Sequence, residues 1–229
     1  MITDNYKDVL LSVEAKEETS KYNQSVTLIA VSKTKPMSDI EELYHIGVRD
    51  FGENKVQELC EKYENLPKDI RWHLIGHLQT NKVKYIVDKV SLIHSVDSVH
   101  LANQIERECI KKNVEADILV QVNVAEEDTK YGLKVEETIS MVKEIAALPH
   151  VHIKGLMTIA PFVDNPEDNR EVFKALKKLS VDINDKNIDN VCMDILSMGM
   201  SGDYEIAIEE GSTMVRVGTS IFGERNYNR

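Results

Sequence analysis

The feature of this chain that most constrains its fold is a repeated alternation of two kinds of segment. Short runs rich in β-branched and other apolar residues are separated by longer stretches with helical periodicity. Several short runs are apolar nearly throughout, which is typical of parallel strands covered on both faces. The runs predicted to be strands are Val26–Ser32, Val48–Gly52, Arg71–Gly76, Leu92–Val96, Asp117–Val124, Val151–Thr158, Val191–Met198 and Thr213–Gly218.

Eight strands that alternate with helices in one domain-sized chain predict a (β/α)8 barrel of the α/β class. Val172, Leu176 and Leu179 share one face at helical spacing. An amphipathic segment, roughly Tyr6 to Tyr22, precedes the first strand and predicts an extra N-terminal helix. No Pro-, Gly- or Ser-rich linker divides residues 1–229, so we expect a single domain. The alternative, a doubly wound open sheet, needs a glycine-rich turn after its first strand, and SKTKP contains no glycine.

Charge and cysteine content restrict the partners and the compartment. A formal net charge of -11 argues against nucleic acid or an anionic membrane as a partner, because both need a basic surface. Cys60, Cys109 and Cys192 lie far apart, which predicts neither a disulfide framework nor a zinc site. His73 and His77 have the spacing of a helical metal pair but lie in a predicted strand and turn, so we expect no metal. Without an apolar signal segment, the chain is expected to be cytoplasmic.

The C-terminal ends of barrel strands carry the functional residues of this fold, so the residues there are the candidates for a site. The first strand ends in LIAVSKTKP, where Lys33 follows a run that is expected to be buried. One interpretation is that Lys33 marks where the strand meets solvent, since lysine is rarely buried without a partner. The other is that a desolvated amine, close to other cations, acts as a nucleophile toward an aldehyde.

The loops after strands 7 and 8 form the second group of candidates. Ser201 is a good helix N-cap, with Asp203 in the first helical turn. Gly199 and Gly202 allow backbone N–H groups to approach a ligand closely, and Gly218–Ser220 adds another small turn rich in donors. Either turn alone could be an ordinary connection. Because barrels often bind phosphate at these two loops, together they predict a phosphate site.

Arg216 is the third candidate, because it lies between two valines in a strand otherwise expected to be covered. A buried guanidinium needs an acceptor. That acceptor is either a carboxylate, such as that of Asp194 or Glu209, or an atom of a ligand near the barrel axis, and spacing favours neither. An aldehyde with a phosphate tail would suit Lys33, Arg216 and the two loops together. Pyridoxal 5'-phosphate is the candidate molecule with both groups.

Four stretches of the chain resemble, in the same order, motifs of the pyridoxal phosphate homeostasis proteins, a family related to the N-terminal barrel of alanine racemase. They are AVSKTKP (Ala30–Pro36), FGENKVQE (Phe51–Glu58), WHLIGHLQTNK (Trp72–Lys82) and LSMGMSGDYEIAIEEGSTMVRVGTSIFG (Leu196–Gly223). The resemblance implies a (β/α)8 barrel that holds pyridoxal 5'-phosphate as a Schiff base on Lys33 and serves the homeostasis of that cofactor.

The resemblance also implies which residues surround the cofactor. Arg216 is implied near the pyridine nitrogen, and the loops around Ser201 and Gly218 near the phosphate. No residue is implied to be catalytic. His77 is a candidate for the barrel mouth, and Lys130 is most simply a solvated loop lysine. The full set of implied contacts is Lys33, Asn54, Met200, Ser201, Arg216, Gly218 and Thr219.

The resemblance favours a carrier over a catalyst. Racemases of this barrel family have a second, β-rich domain that helps form the dimer and supplies a tyrosine as the opposite acid/base. The sequence ends at Arg229, eleven residues past Gly218, so we expect no such domain, a monomer, and little or no turnover. The expected partners are the cofactor and, transiently, apo-enzymes that need it. Two alternatives stay open: a pyridoxal phosphate-dependent amino-acid racemase, and an aldolase-type barrel that uses Lys33 without a cofactor.

Overall fold

Eight parallel strands form a closed barrel in the computed structural model, which describes residues 1–125 and 131–224. The strands are β1 Thr27–Val31, β2 Asp50–Glu53, β3 Arg71–Leu74, β4 Leu92–Val96, β5 Ala116–Gln121, β6 Val151–Met157, β7 Val191–Met200 and β8 Met214–Val217. Each strand pairs with its neighbours in chain order, and β8 closes the barrel on β1. The predicted (β/α)8 barrel is therefore confirmed, and the doubly wound open sheet is excluded.

Helices surround the barrel. The α-helices are α1 Ile2–Thr19, α2 Met37–His45, α3 Val56–Asn65, α4 Val99–Lys112, α5 Val135–Ala146, α6 Arg170–Asn184, α7 Tyr204–Glu209 and α8 Thr219–Phe222. Two 3-10 helices, Thr80–Tyr85 and Pro166–Asn169, precede β4 and α6. The extra N-terminal helix is confirmed, although it begins and ends earlier than predicted. Among the described helices, none is both long and apolar enough to cross a membrane.

The observed strands lie where the apolar runs predicted them, with differences at their ends. β5 ends at Gln121 rather than Val124, because Val122 forms an isolated bridge with Leu133 and the Asn123 N–H donates to the Leu133 carbonyl. β7 continues to Met200, two residues past the predicted end, because Met200 is in register with Arg216 on β8. The longer β7 carries its last residues to the edge of the barrel where the site lies.

The N-terminal helix α1 packs on the side of the barrel, against α7 and α8. Asn5 Nδ2 donates a hydrogen bond to the Ile221 carbonyl at 3.0 Å. Ser12 Oγ donates to Glu205 Oε1 at 2.8 Å, and Val13 is buried on the same helix. The helix therefore braces the two short helices that follow β7 and β8.

The barrel interior holds both apolar and polar side chains. Leu92, Leu119 and Met157 form an apolar cluster separate from the main hydrophobic core. His94 on β4 and Ser197 on β7 form a hydrogen bond of 2.9 Å. Because β4 and β7 are not neighbours in the sheet, this contact crosses the interior.

Candidate functional site

A cavity of about 380 Å³ opens at the C-terminal ends of the strands. Its wall is formed by the C-terminal ends of strands and by the segments that follow β1, β2, β3, β6, β7 and β8, which barrel closure brings together. The structure thus places the whole predicted set around one cavity, while the roles of its members toward a ligand stay predictions. The members of that set in the wall are Lys33, Asn54, Met200, Ser201, Arg216, Gly218 and Thr219.

Lys33 lies in a tight turn after β1, residues 33–35, which we call the lysine turn. Its side chain is partly buried and lines the cavity. The next residue, Thr34, has a positive φ of 64°, a strained conformation for a β-branched side chain. The Thr34 N–H donates to Glu58 Oε1 at 2.6 Å, and its hydroxyl donates to the Lys33 carbonyl at 2.6 Å. These two bonds hold the strained turn and, with it, the position of Lys33.

Lys35 has a different role from Lys33. Its Nζ donates to backbone carbonyls at the end of α8, those of Phe222 at 2.9 Å and Gly223 at 3.2 Å. Carbonyls at a helix C-terminus lack intrahelical partners, and a lysine commonly satisfies them. Lys35 therefore fastens the lysine turn to the helix that follows β8.

A buried ion cluster of Lys62, Glu53 and Glu58 lies beside the lysine turn. Lys62 Nζ donates to Glu53 Oε1 and Glu58 Oε1, both at 2.7 Å. Lys62 is 3% exposed and Glu53 is 0% exposed, whereas Glu58 is partly buried at the edge of the cluster. Lys62 also donates to the Ser32 carbonyl at 2.9 Å, and Ser32 Oγ donates to Glu53 at 2.6 Å. Burial raises the pKa of Glu53, against the opposing pull of the Lys62 ammonium. Through Ser32 and Glu58, the cluster anchors both sides of the turn.

Arg216 on β8 is 4% exposed and lines the cavity. Its Nη1 donates to Ser197 Oγ at 2.5 Å, and its Nη2 donates to the Thr158 carbonyl at 2.8 Å. Desolvation lowers the pKa of Arg216 to about 10, with attraction to Asp203 acting the other way. The guanidinium is thus held rigidly at the cavity by neutral acceptors.

The structure tests one of the two interpretations of Arg216, the ion pair, and leaves its contact with a ligand a prediction. The prediction that Arg216 forms an ion pair with Asp194 or Glu209 is wrong. Glu209 instead pairs with Lys16 at 2.5 Å and with Arg170 at 2.8 Å, on the helical side of the barrel. Asp194 is exposed on β7. The interpretation in which Arg216 reaches a cavity near the barrel axis is the one that fits.

The loops after β7 and β8 are joined by a hydrogen bond in which the Gly218 N–H donates to Ser201 Oγ at 3.2 Å. The predicted N-cap at Ser201 is wrong, because Asp203 is the residue that precedes α7. The longer β7 shifts the turn, and Asp203 Oδ1 accepts from the Met200 N–H across it at 2.7 Å. Ser201 is consequently left at the cavity wall, where its hydroxyl meets the loop after β8.

The two glycines of the first loop serve different purposes. Gly199 has a φ of 92°, and a Cβ there would lie 2.6 Å from the Cβ of Ala207. It is therefore required for the packing of α7 on β7 rather than for the approach of a ligand. Gly202 lines the cavity and has open space where a Cβ would be, so it is the glycine that leaves room for a ligand.

Two other candidates, His73 and His77, lie outside the wall of this cavity. His77 stacks on Tyr131 with ring centroids 3.9 Å apart, and it is absent from the described cavity wall. His73 bonds to His94 at 3.0 Å rather than pairing with His77. Within residues 1–125 and 131–224, no group of three or more His, Cys, Asp or Glu side chains is arranged to hold a metal. Lys130 lies outside the described residues.

Several residues around the cavity were not predicted from the sequence. His94 and Ser197 are buried behind Arg216, and Asn169 donates to Asp203 Oδ2 at 2.8 Å in the wall. A signal for His94 did exist, since an imidazole within LIHSV is as anomalous in a covered strand as Arg216 is in TMVRVG. The segment after β6 adds an apolar rim formed by Ile159, Pro161, Phe162 and Val163.

Comparison with known proteins identifies the family. The model for the N-terminal domain of alanine racemase matches residues 15–226. A pyridoxal phosphate homeostasis protein from Aquifex aeolicus is 46% identical over 215 residues, which cover 93% of each chain. The chain belongs to the pyridoxal phosphate homeostasis protein family. The resemblance of the four sequence motifs is thereby confirmed over nearly the whole chain.

Solved structures share the fold of this family member. PipY of Synechococcus elongatus PCC7942, solved with PLP bound, matches at a TM-score of 0.84 and 33% identity and covers 97% of this chain and 100% of that chain. An alanine racemase from Clostridium difficile 630 matches at a TM-score of 0.79 and 16% identity, covering 98% of this chain and 61% of that chain. At that identity, the second likeness shows the shared barrel alone.

Proposed function

We propose that this chain binds pyridoxal 5'-phosphate in the cavity at the C-terminal end of the barrel, holds it as a reversible Schiff base on Lys33, and buffers or delivers it to apo-enzymes. The observation that carries the proposal is that one cavity combines a lysine amine, a buried guanidinium and two donor-rich loops. The cofactor has an aldehyde, a pyridine nitrogen and a phosphate, so each group has a matched partner. The names of the relatives and the PLP in PipY support the same assignment.

The residues fit the cofactor group by group. A guanidinium has five N–H donors, and the hydrogen bonds that Arg216 makes within the described chain engage Nη1 and Nη2, so donors remain for a pyridine nitrogen. The hydroxyls of Ser201 and Thr219 supply donors for phosphate oxygens, and the Gly218 N–H holds the Ser201 hydroxyl oxygen in place. When bound, the cofactor would supply an aldehyde carbon, to which the Lys33 amine would add reversibly while the aldehyde oxygen leaves as water. Asn54 and Met200 complete the predicted wall.

The use of the polar groups in the wall supports a carrier with little turnover. Amino-acid racemisation needs a second acid/base opposite the lysine, a contribution worth roughly two to four orders of magnitude in rate. Asp203 is a carboxylate in the wall, and both of its oxygens already accept hydrogen bonds, from the Met200 N–H and from Asn169. An arginine at the pyridine nitrogen leaves that nitrogen an acceptor, which weakens the ring as an electron sink.

The adduct itself is tested by absorption and mass mapping. The purified protein, mixed with pyridoxal 5'-phosphate, is expected to develop a visible absorption band that borohydride bleaches, with the reduced tag on Lys33. Lys33→Ala should abolish the band and the tag. Lys174→Ala is the control, because it removes an exposed lysine that pairs with Glu171 outside the cavity wall and should keep both. A tag on another lysine, or a band that survives in Lys33→Ala, would refute the assignment.

Two further measurements separate a carrier from a catalyst. Incubation of the loaded protein with amino acids in deuterated water should give little deuterium at Cα, whereas robust exchange would favour the racemase. Transfer to an apo-enzyme faster than free release would support delivery. A protein that forms an adduct with an aldehyde substrate but never with pyridoxal 5'-phosphate would favour the cofactor-free aldolase.

A further inference from the structure

A line of polar side chains crosses the interior of the barrel, where branched apolar residues usually dominate. His73, His94 and Ser197 are at most 3% exposed. His73 Nδ1 lies 3.0 Å from His94 Nε2, and His94 Nδ1 lies 2.9 Å from Ser197 Oγ. The line reaches Arg216 at one end, where Nη1 lies 2.5 Å from Ser197 Oγ, and Asp50 at the other, 3.0 Å from His73 Nε2. We call these five residues the axial relay.

Hydrogen-bond chemistry fixes the direction of every bond in the axial relay when both imidazoles are neutral. A carboxylate only accepts, so the proton of His73 is on Nε2 and points to Asp50, and His73 Nδ1 accepts from His94 Nε2. His94 Nδ1 then accepts from the Ser197 hydroxyl, whose oxygen accepts from Arg216. Burial lowers the pKa of His94 well below its ordinary value, in agreement with a neutral ring. All four bonds therefore donate in one direction, from Arg216 to Asp50.

The far end of the axial relay opens into a second cavity, of about 230 Å³, at the N-terminal ends of the strands. Asp50, Arg71, His73 and Asp117 are among the residues that line it. Arg71 Nε donates to Asp50 Oδ1 at 2.8 Å. Burial alone would raise the pKa of Asp50, but hydrogen bonds from His73 and Arg71 outweigh it and lower the pKa to about 2. The carboxylate at this end is consequently charged.

We infer that Ser197, His94 and His73 are positioning residues, which hold the Arg216 guanidinium at the upper cavity and connect it to a remote counter-charge on Asp50. The inference rests on the proposed function, because it assigns the axial relay to the cavity that would hold the cofactor. Bonds aligned in one direction polarise one another in a low-dielectric interior, so the negative charge at one end stabilises the positive charge at the other.

The surroundings of Arg216 require such a counter-charge. The hydrogen bonds that it makes within the described residues go to neutral groups, the Ser197 hydroxyl and the Thr158 carbonyl. Asp203 adds an attraction through space from the cavity side. A buried charge needs pairing as well as hydrogen bonds, and the bonded path from the guanidinium to a carboxylate runs through the axial relay to Asp50.

The first test needs no cofactor. Nitrogen NMR of the imidazole rings in the ligand-free protein reports which ring nitrogen carries the proton. At neutral pH we expect both His94 and His73 to be neutral and protonated at Nε2. A proton on Nδ1 of His94, or an imidazolium at His73, would overturn the one-way direction of the bonds.

The second test changes the charge at the far end. Asp50→Asn removes the charge and keeps an oxygen that can accept from His73. Asp117→Asn is the matched control. Asp117 lines the same cavity but pairs with Lys154 at 3.5 Å and is not part of the axial relay. We expect Asp50→Asn to weaken binding of pyridoxal 5'-phosphate several-fold and to shift its absorption band. Asp117→Asn should change neither. Equal effects of the two variants, or no effect of Asp50→Asn, would overturn the inference.

The third test breaks the axial relay next to Arg216. Ser197→Ala should weaken binding by about tenfold to a hundredfold, because hydrogen bonds to charged groups are strong, and Ser197→Thr should restore much of it through its hydroxyl. Binding by Ser197→Ala equal to that of the unaltered protein would also overturn the inference. If the unaltered protein fails to bind the cofactor, the proposed function is refuted instead. The NMR measurement would still test the direction of the hydrogen bonds in the axial relay.

Discussion

Replacement of Lys62 by methionine is expected to destabilise the protein strongly at pH 7 and far less at pH 5. Lys62 is the cation of the buried cluster beside the lysine turn, and its removal leaves the Glu53 carboxylate, 0% exposed, with the Ser32 hydroxyl as its remaining donor among the described residues. Breaking a buried ion pair by removing one partner typically costs about 3–5 kcal/mol, because the other charge is left uncompensated.

The size of this effect has a ceiling that depends on pH. The variant avoids a lone buried charge when Glu53 takes up a proton. For a glutamate with an unfolded pKa of about 4.3, that protonation costs about 3.7 kcal/mol at pH 7 and about 1 kcal/mol at pH 5. The folded pKa of Glu53 in the variant lies above the unfolded value, so the folded state binds more protons and stability rises as the pH falls. The unaltered protein shares part of this pH dependence, because burial already raises the pKa of Glu53 there. The difference between the two proteins should therefore shrink by at most about 2–3 kcal/mol.

Urea unfolding at both pH values measures the two free energies of unfolding. At pH 7 the midpoint of thermal unfolding should also fall, by roughly 7–15 °C for a chain of this size. The double variant Lys62→Met/Glu53→Gln is the control. It removes both charges, so it should lose the pH dependence and recover part of the stability. A destabilisation by Lys62→Met that is equal at pH 7 and pH 5 would refute the reasoning.

Two further predictions concern other parts of the barrel. The pKa of Asp50 is lowered from 3.8 to about 2 in the folded protein. The charged carboxylate should therefore contribute about 2 kcal/mol to the free energy of unfolding above pH 4, and this contribution is lost as the pH falls toward 2. The stability of Asp50→Asn should lack this pH-dependent contribution in acid unfolding. Gly155→Ala should cost more than about 3 kcal/mol in urea unfolding, because its Cβ would collide with the Ile195 carbonyl. Gly202→Ala, with open space around its Cβ, should keep the stability and weaken cofactor binding; equal losses for the two glycine variants would contradict this.

The barrel was predictable because its strands are covered on both faces. Coverage on both faces makes a strand apolar at nearly every position, so each run stands out without any alternation to interpret. Strand ends were less predictable, since they depend on the partner strand. Met200 belongs to β7 only because it is in register with Arg216, and this two-residue extension also moved the N-cap from Ser201 to Asp203.

The candidate site was predictable in its membership and less so in its supports. The residues at the strand ends could be collected because all eight ends of a parallel barrel meet on one face. The supports could not, because their contacts depend on barrel closure. Nothing in the sequence joins His94 to Ser197, 103 positions away, or Lys62 to the carbonyl of Ser32, until the strands are placed.

Lys33 and Arg216 are both held from inside the protein, by two separate buried networks. The ion cluster around Lys62 fixes the lysine turn, and the axial relay fixes Arg216, in both cases through bonds within the protein. A cavity whose two main groups are already in place loses little conformational entropy on binding, which suits repeated loading and release of one cofactor. Hydrogen exchange of the amides of Thr34 and Val217 should therefore change little on addition of pyridoxal 5'-phosphate. Strong new protection at both amides would show that the ligand, rather than these networks, orders the site.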